Sequence, residues 1–309
     1  MNAQKMDAKA LLSVSTAYVL WAVLTVFWQL LGNVEPSYIL SQRILWSTVV
    51  IGGYALAIGK GPEIKLVLRD GKKRKQVFLC GILISVNWGV YILAVNTGHV
   101  LDASLGYFVE PVLVTFLGML CFREKLNLRE KITFAFAILG LLYCTLMTGA
   151  VPILAVLIAG SFAAYGALKK KLNLDAYVSL TAETLLMVPF ALAFALWSEA
   201  RGAGAINVLH GWEWLLLPAC GAVTGIPLLL YNIGIRKIPY YITGILMYLN
   251  PTLSFLMGLF YFHEELNVHR LISFVIIWVG ISFTVWDRIV AMRQAQKMAQ
   301  ATEESHGFV

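Results

Sequence analysis

The segment GYFVEP, residues 106–111, puts an acid and an imino acid side by side within the apolar run ASLGYFVEPVLVTFLGMLCF. Neither residue helps a helix cross a bilayer, so each needs a chemical reason. An ionised carboxylate at bilayer centre costs at least about 2.5 kcal/mol and marks a functional position, needing a partner or a proton. Arg43, in SQRILW, is the cation left inside an apolar run, which makes Arg43 and Glu110 a candidate coupling or ion pair facing a common cavity. A static pair that only orients two helices is the alternative, since buried pairs contribute specificity more than stability. Pro111 removes a backbone donor and disrupts the bond to the carbonyl of Tyr107, four residues back. Such groups are tolerated at membrane depth only against protein or a water-filled cavity.

Two further segments carry polar groups on apolar helices. In SVNWGVYILAVN, Asn87 and Tyr91 are four apart on one helical face, with Trp88 beside Asn87. TGIPLLLYN supplies Thr224, Pro227, Tyr231 and Asn232, and LMYLNP supplies Tyr248, Asn250 and Pro251. Amides and phenols in apolar surroundings can hold an amphipathic solute by hydrogen bonding and stacking. The candidate substrate-binding residues are therefore Asn87, Trp88, Tyr91, Tyr107, Glu110, Thr224, Tyr231, Asn232, Tyr248 and Asn250. Pro111, Pro227 and Pro251 are the candidate kinks. The plainer alternative, hydrogen bonds between helices, is common in membrane bundles. Glu183 is a second acid in an apolar run but has no symmetric counterpart, and His99 belongs to a short solvated loop.

Catalytic and metal chemistry finds no support. HEELN at 263–267 has Asn267 where a zinc-binding HExxH needs its second histidine. Asn127 with Glu130, and Asn267, instead fit helix caps. Cys80, Cys121, Cys144 and Cys220 show no CxxC spacing and read as packing residues. With no GxSxG and no P-loop, neither a catalytic residue, a cofactor, a metal nor an ATP-binding subunit is expected.

The elements that position these groups are membrane helices. Of 309 residues, 59% are hydrophobic and 13% charged, with a mean hydropathy of +0.76, beyond what a soluble domain sustains. From Ile132 to Leu168 there is no Lys, Arg, Asp or Glu, too long a stretch for one span of about 20 residues. Gly149 and Pro152 divide it by a turn. Ten spans are expected, at roughly 11–31, 37–58, 77–95, 102–121, 131–148, 151–168, 176–197, 212–234, 240–261 and 270–287. The first is a retained helix, since no small-residue cleavage site follows it. The fold class is all-α membrane protein.

With a cytoplasmic N-terminus, 21 cations fall in inside loops or tails and two, Arg201 and Arg270, outside. That bias sets both termini in the cytoplasm. It also explains the formal charge of +7 without a nucleic-acid partner, which would need a basic face on a soluble module. At an offset of 140 residues, 13 of the 61 positions from 80 to 140 match those from 220 to 280, Pro111 with Pro251 and Tyr91 with Tyr231 among them. The chain therefore divides into a tail at 1–10, a five-helix repeat at 11–148, a second at 151–288 and a tail at 289–309. Because five is odd, the second copy is inverted. Inverted repeats are a recurrent plan of secondary transporters, with the solute near the midplane.

The segments NWGVYILAVNTGHVLDASLGYF, QRILWS, GIPLLLYN and YLNPTLSFL resemble EamA-like permeases of the drug/metabolite transporter superfamily, and within them the RarD group named for chloramphenicol sensitivity. The resemblance runs from Ala17 to Trp286. It implies a ten-helix carrier of the bacterial inner membrane, with a central cavity and alternating access. The group's pattern often has Asn where Glu110 stands and His where Gln42 stands. The expectation is a secondary-active exporter of a small amphipathic metabolite or drug, driven by proton exchange or by the solute's own gradient. A uniporter or channel and an intramembrane enzyme are the alternatives. The partners expected are the solute and the lipid bilayer.

Overall fold

The computed structural model describes residues 7–97, 100–123, 128–148, 153–238, 240–263, 268–269, 271–283, 286 and 290. Among them secondary structure is entirely helical. Asp7 opens α1 (Ala8–Val23) by accepting from the backbone N–H groups of Lys9 and Ala10. The helix breaks at Leu24 and resumes as α2 (Thr25–Gln29). Pro36, in the first turn of α3 (Pro36–Ser47), stands where its missing N–H costs nothing. A π-helical turn at Thr48–Gly52 leads into α4 (Gly53–Ala57). There follow α5 (Gly61–Arg69), α6 (Gly71–Asn96), α7 (Val100–Phe122), α8 (Leu128–Thr148), α9 (Ile153–Leu172) and α10 (Ala176–Ala200). A 3₁₀ turn at Gly211–Leu215 precedes α11 (Leu216–Ile235), α12 (Tyr240–Leu246), α13 (Leu249–Phe260) and α14 (Leu271–Phe283).

Helix occupies part of each of the ten expected spans, but not uniformly. Seven runs are long and apolar enough to cross a membrane by length and composition, from Ala8–Gln29 to Ile242–Phe260. Val109–Phe122, Lys131–Met147 and Leu271–Phe283 are shorter apolar helices. The turn at Gly149 and Pro152, His99, Asn127, Arg270, residues 264–267 of HEELN and the tail from 291 lie outside the described residues.

Large apolar side chains cover the outside of the bundle, and charged and polar ones share its interior with the apolar core. Leu12, Phe190 and Leu196 are more than 60% exposed, while Arg43, Asn87, Glu110 and Glu183 are buried. A chain in lipid gains nothing by hiding leucine and much by hiding charge. This is a multi-pass membrane protein.

In the bundle, α9 packs against both α6 and α7, while α11 packs against α1 and α3. The α7–α9 approach depends on Gly106, where a Cβ would stand 2.8 Å from Ala155 Cα. α7 also packs against α12 and α13, bringing the two proline segments together. They are not alike, however: α7 runs unbroken through Pro111, whereas the chain turns at Met247 and Tyr248 and restarts as α13 with Pro251 in its first turn. The Met247 carbonyl, four residues before Pro251, accepts from Asn250 N–H at 3.2 Å. The break satisfies the carbonyl locally.

Candidate functional site

One cavity collects most of the polar groups singled out above. Tyr18, Trp21, Leu24 and Trp28 line it from α1, α2 and the break between them, Arg43 from α3, and Asn87, Trp88 and Tyr91 from α6. Tyr107 and Glu110 come from α7, Phe162 from α9, Val223 from α11 and Asn250 from α13. Residues from both halves of the sequence therefore face one space.

Arg43 is held on three sides. Its guanidinium lies 4.2 Å from the Trp28 ring centroid and 4.6 Å from that of Trp88, and its Nε donates to Thr224 Oγ1 at 3.1 Å. Cation–π contacts of this kind gain strength when desolvated, and Arg43 is 4% exposed. Its Nη1 has no partner. Glu110, 2% exposed, also has no hydrogen bond or ion pair among the described residues. The two ionisable groups line the same cavity without touching; the tryptophans and Thr224 hold the cation where an acid would have held it.

Around them, the hydroxyls of Thr25 and Tyr91 share a hydrogen bond at 2.8 Å. Asn87 Nδ2 donates to the Ile158 carbonyl at 2.9 Å, fastening α6 to α9. Asn250 Oδ1 accepts from Ser254 Oγ at 3.3 Å. The Tyr91 and Tyr107 ring centroids are 5.7 Å apart. The site is thus an aromatic box with one fixed cation, one acid and two amides.

Three expected residues sit elsewhere. Tyr231 packs behind the wall, its ring against Tyr18, Trp21 and Phe162. Asn232 turns away and donates to Tyr165 Oη at 3.4 Å. Tyr248 belongs to an apolar cluster with Phe255 and Phe274, because the break that precedes α13 directs it away from Asn250. Thr224 acts through Arg43. Pro227 lies within α11.

The α1 face is an addition to the expected site. Tyr18, Trp21, Thr25 and Trp28 recur at intervals of three, four and three, one helical stripe, and that signal was available. Lys169, expected among the loop cations, is buried in the last turn of α9, ion-paired with Glu183 and donating to Ser179 Oγ at 2.7 Å. Glu183 also accepts from Ser179 Oγ at 2.8 Å and from Tyr165 Oη at 3.2 Å. Glu183 is therefore a fully partnered acid, unlike Glu110.

The EamA-like transporter family model matches residues 8–146 and again residues 150–286. Protein RarD of Streptomyces exfoliatus is 34% identical, over 97% of this chain and 96% of its own. The uncharacterized transporter YojE of Bacillus subtilis is 35% identical, over 91% and 95%. Protein RarD of Escherichia coli is 30% identical, over 94% and 100%. A protein of known crystal structure, 21% identical, shares the fold with a TM-score of 0.63 over 89% of this chain and 96% of that one.

Proposed function

The chain belongs to the EamA-like transporter family and is a transporter of the RarD type rather than an enzyme, and from that premise we propose that it is a secondary-active exporter of a small amphipathic solute, working by alternating access. The observation that carries the reading is the aromatic cavity, built from both halves of the chain and holding two buried charges with no ionic partner. A static structural pair would have closed on itself. A cavity that keeps Arg43 and Glu110 apart leaves both available to a passing solute or proton.

In this reading ten helices form two inverted repeats in the bacterial inner membrane, with both termini cytoplasmic. The contacts of α7 with α12 and α13, and of Thr133 on α8 with the Gly280 carbonyl on α14 at 2.6 Å, support a pairing of equivalent helices. The cation distribution supports the orientation. The two halves rock about the cavity, which opens to one side and then the other.

Glu110 is the proton-carrying group of the cycle, since a partnerless carboxylate at this depth holds its charge only at high cost. Purified protein in liposomes should show saturable flux, accelerated by unlabelled solute on the far side; flux that neither saturates nor responds to counter-solute indicates a channel. Glu110→Gln should keep solute binding and lose the response of flux to an imposed pH gradient. Retention of that response would remove Glu110 from the coupling.

A further inference from the structure

We infer that the solute of this cavity carries a carboxylate, or an oxyanion of the same planar shape, that seats on the free edge of Arg43, and a flat apolar body that lies among the surrounding rings. The inference rests on the transport reading above and narrows it to a class of solute.

The Arg43 guanidinium is only partly partnered. The Trp28 and Trp88 ring centroids lie 4.2 and 4.6 Å from its Cζ, and Nε donates to Thr224 Oγ1. Nη1 is left with no hydrogen-bond partner, although it is buried and the residue lines the cavity. A buried arginine left unpaired carries a heavy desolvation cost. Its fork matches a carboxylate with two parallel hydrogen bonds, and such charge-assisted bonds are short and strong. In an apolar surround the attraction is much greater than in water. Glu110 lines the same space but makes no ion pair with Arg43, so the protein's own acid does not fill the seat.

The rest of the lining fits the remainder of such a solute. Trp21, Trp28, Trp88, Tyr107 and Phe162 present ring surface, which favours flat apolar groups. The Asn250 side chain spends Oδ1 on Ser254, leaving its Nδ2 as a second donor for an anionic group. Glu110 then answers the charge brought in: it stays neutral beside a simple acid, or pairs with an ammonium if the solute is a zwitterion. Both cases keep the carboxylate on Arg43.

The test is a thermal-shift and competition series on the full-length protein in detergent. It uses three indoles of similar size, indole-3-propionate, tryptophan and tryptamine, and the larger, neutral chloramphenicol. Binding to the folded form raises the unfolding temperature. The two carboxylates should bind and the other two should not. Of the two, stronger binding by tryptophan assigns an ammonium to Glu110, and stronger binding by the simple acid assigns it a proton. Arg43→Gln should weaken carboxylate binding about tenfold or more. Equal binding by tryptamine or chloramphenicol, or none by the acids, overturns the inference. The wild-type series decides the matter even if the variant fails to fold.

Failure here is distinguishable from failure of the transport reading. Saturable flux of neutral solutes with no preference for acids removes the carboxylate seat and leaves the carrier. Binding of the acids with no flux of any of them keeps the seat and removes the carrier.

Discussion

Among single residues, the contrast between Glu110 and Glu183 separates a buried acid without a hydrogen-bond partner from a fully partnered one. Both are buried in apolar helices, yet Glu183 accepts from Lys169, Ser179 and Tyr165 while Glu110 accepts from none of the described residues. The Lys169–Glu183 knot ties α9 to α10 and, through Tyr165 and Asn232, to α11. Removing one partner strands a buried charge, so Lys169→Met or Glu183→Leu alone should cost about 3–5 kcal/mol. The double variant should recover most of that, because no charge is left buried and only the Ser179 and Tyr165 hydroxyls lose their acceptor. Thermal unfolding in detergent measures all three. A double variant as unstable as the worse single one would mean that the knot is worth more than its charges. Sequence position could not tell these acids apart, because the partners of Glu183 come from helices brought together only by folding.

Between helices, Gly106 brings α7 close to the backbone of α9. A Cβ there would meet Ala155 Cα at 2.8 Å and its carbonyl oxygen at 2.9 Å, whereas at Gly244 the nearest atom would be Thr115 Oγ1 at 3.3 Å. Backbone cannot step aside as a side chain can. Gly106→Ala should therefore push α7 from α9, lowering the unfolding temperature and disturbing the adjacent Tyr107 wall, while Gly244→Ala should be close to neutral. Small-residue contacts of this type let membrane helices approach without a hydrophobic driving force. The segment SLGYF advertised the glycine, and only packing showed what it faces. The same holds for the two prolines: identical in the aligned repeats, one continues a helix and the other follows a break, because Asn250 N–H bonds to the Met247 carbonyl.

For the whole molecule, the reading requires α7 and α12 to lie side by side and the chain to cross the bilayer in alternating directions. Thr115 and Gly244 are neighbours across that contact. In a cysteine-free background, cysteines at 115 and 244 should cross-link and stop flux, with reduction restoring it. A single cysteine at Gly59, next to the cation-rich segment, should react with an impermeant thiol reagent only from the cytoplasm, and one at Thr97 only from outside. Labelling of both from one side would undo the inverted arrangement. Exposed leucines and buried charges make such a bundle stable in lipid and aggregation-prone in water, so each of these measurements needs detergent or bilayer throughout.

Composition, the cation bias and the 140-residue offset determined by themselves that this is a helical membrane transporter with two related halves, because those signals depend on the solvent each segment meets and not on its neighbours. The cavity's polar members on α3, α6, α7 and α13 were legible for the same reason: a polar side chain in an apolar run is conspicuous wherever it ends up. What only the tertiary structure decided is which of them meet. Tyr18, Trp21, Trp28 and Phe162 joined the wall, Tyr248 and Asn232 left it, Lys169 moved from loop to interior, and Arg43 found two tryptophans instead of Glu110. Each outcome turns on helix rotation and on a break at one turn, set by packing between residues distant in the chain, about which periodicity along a single segment carries no information.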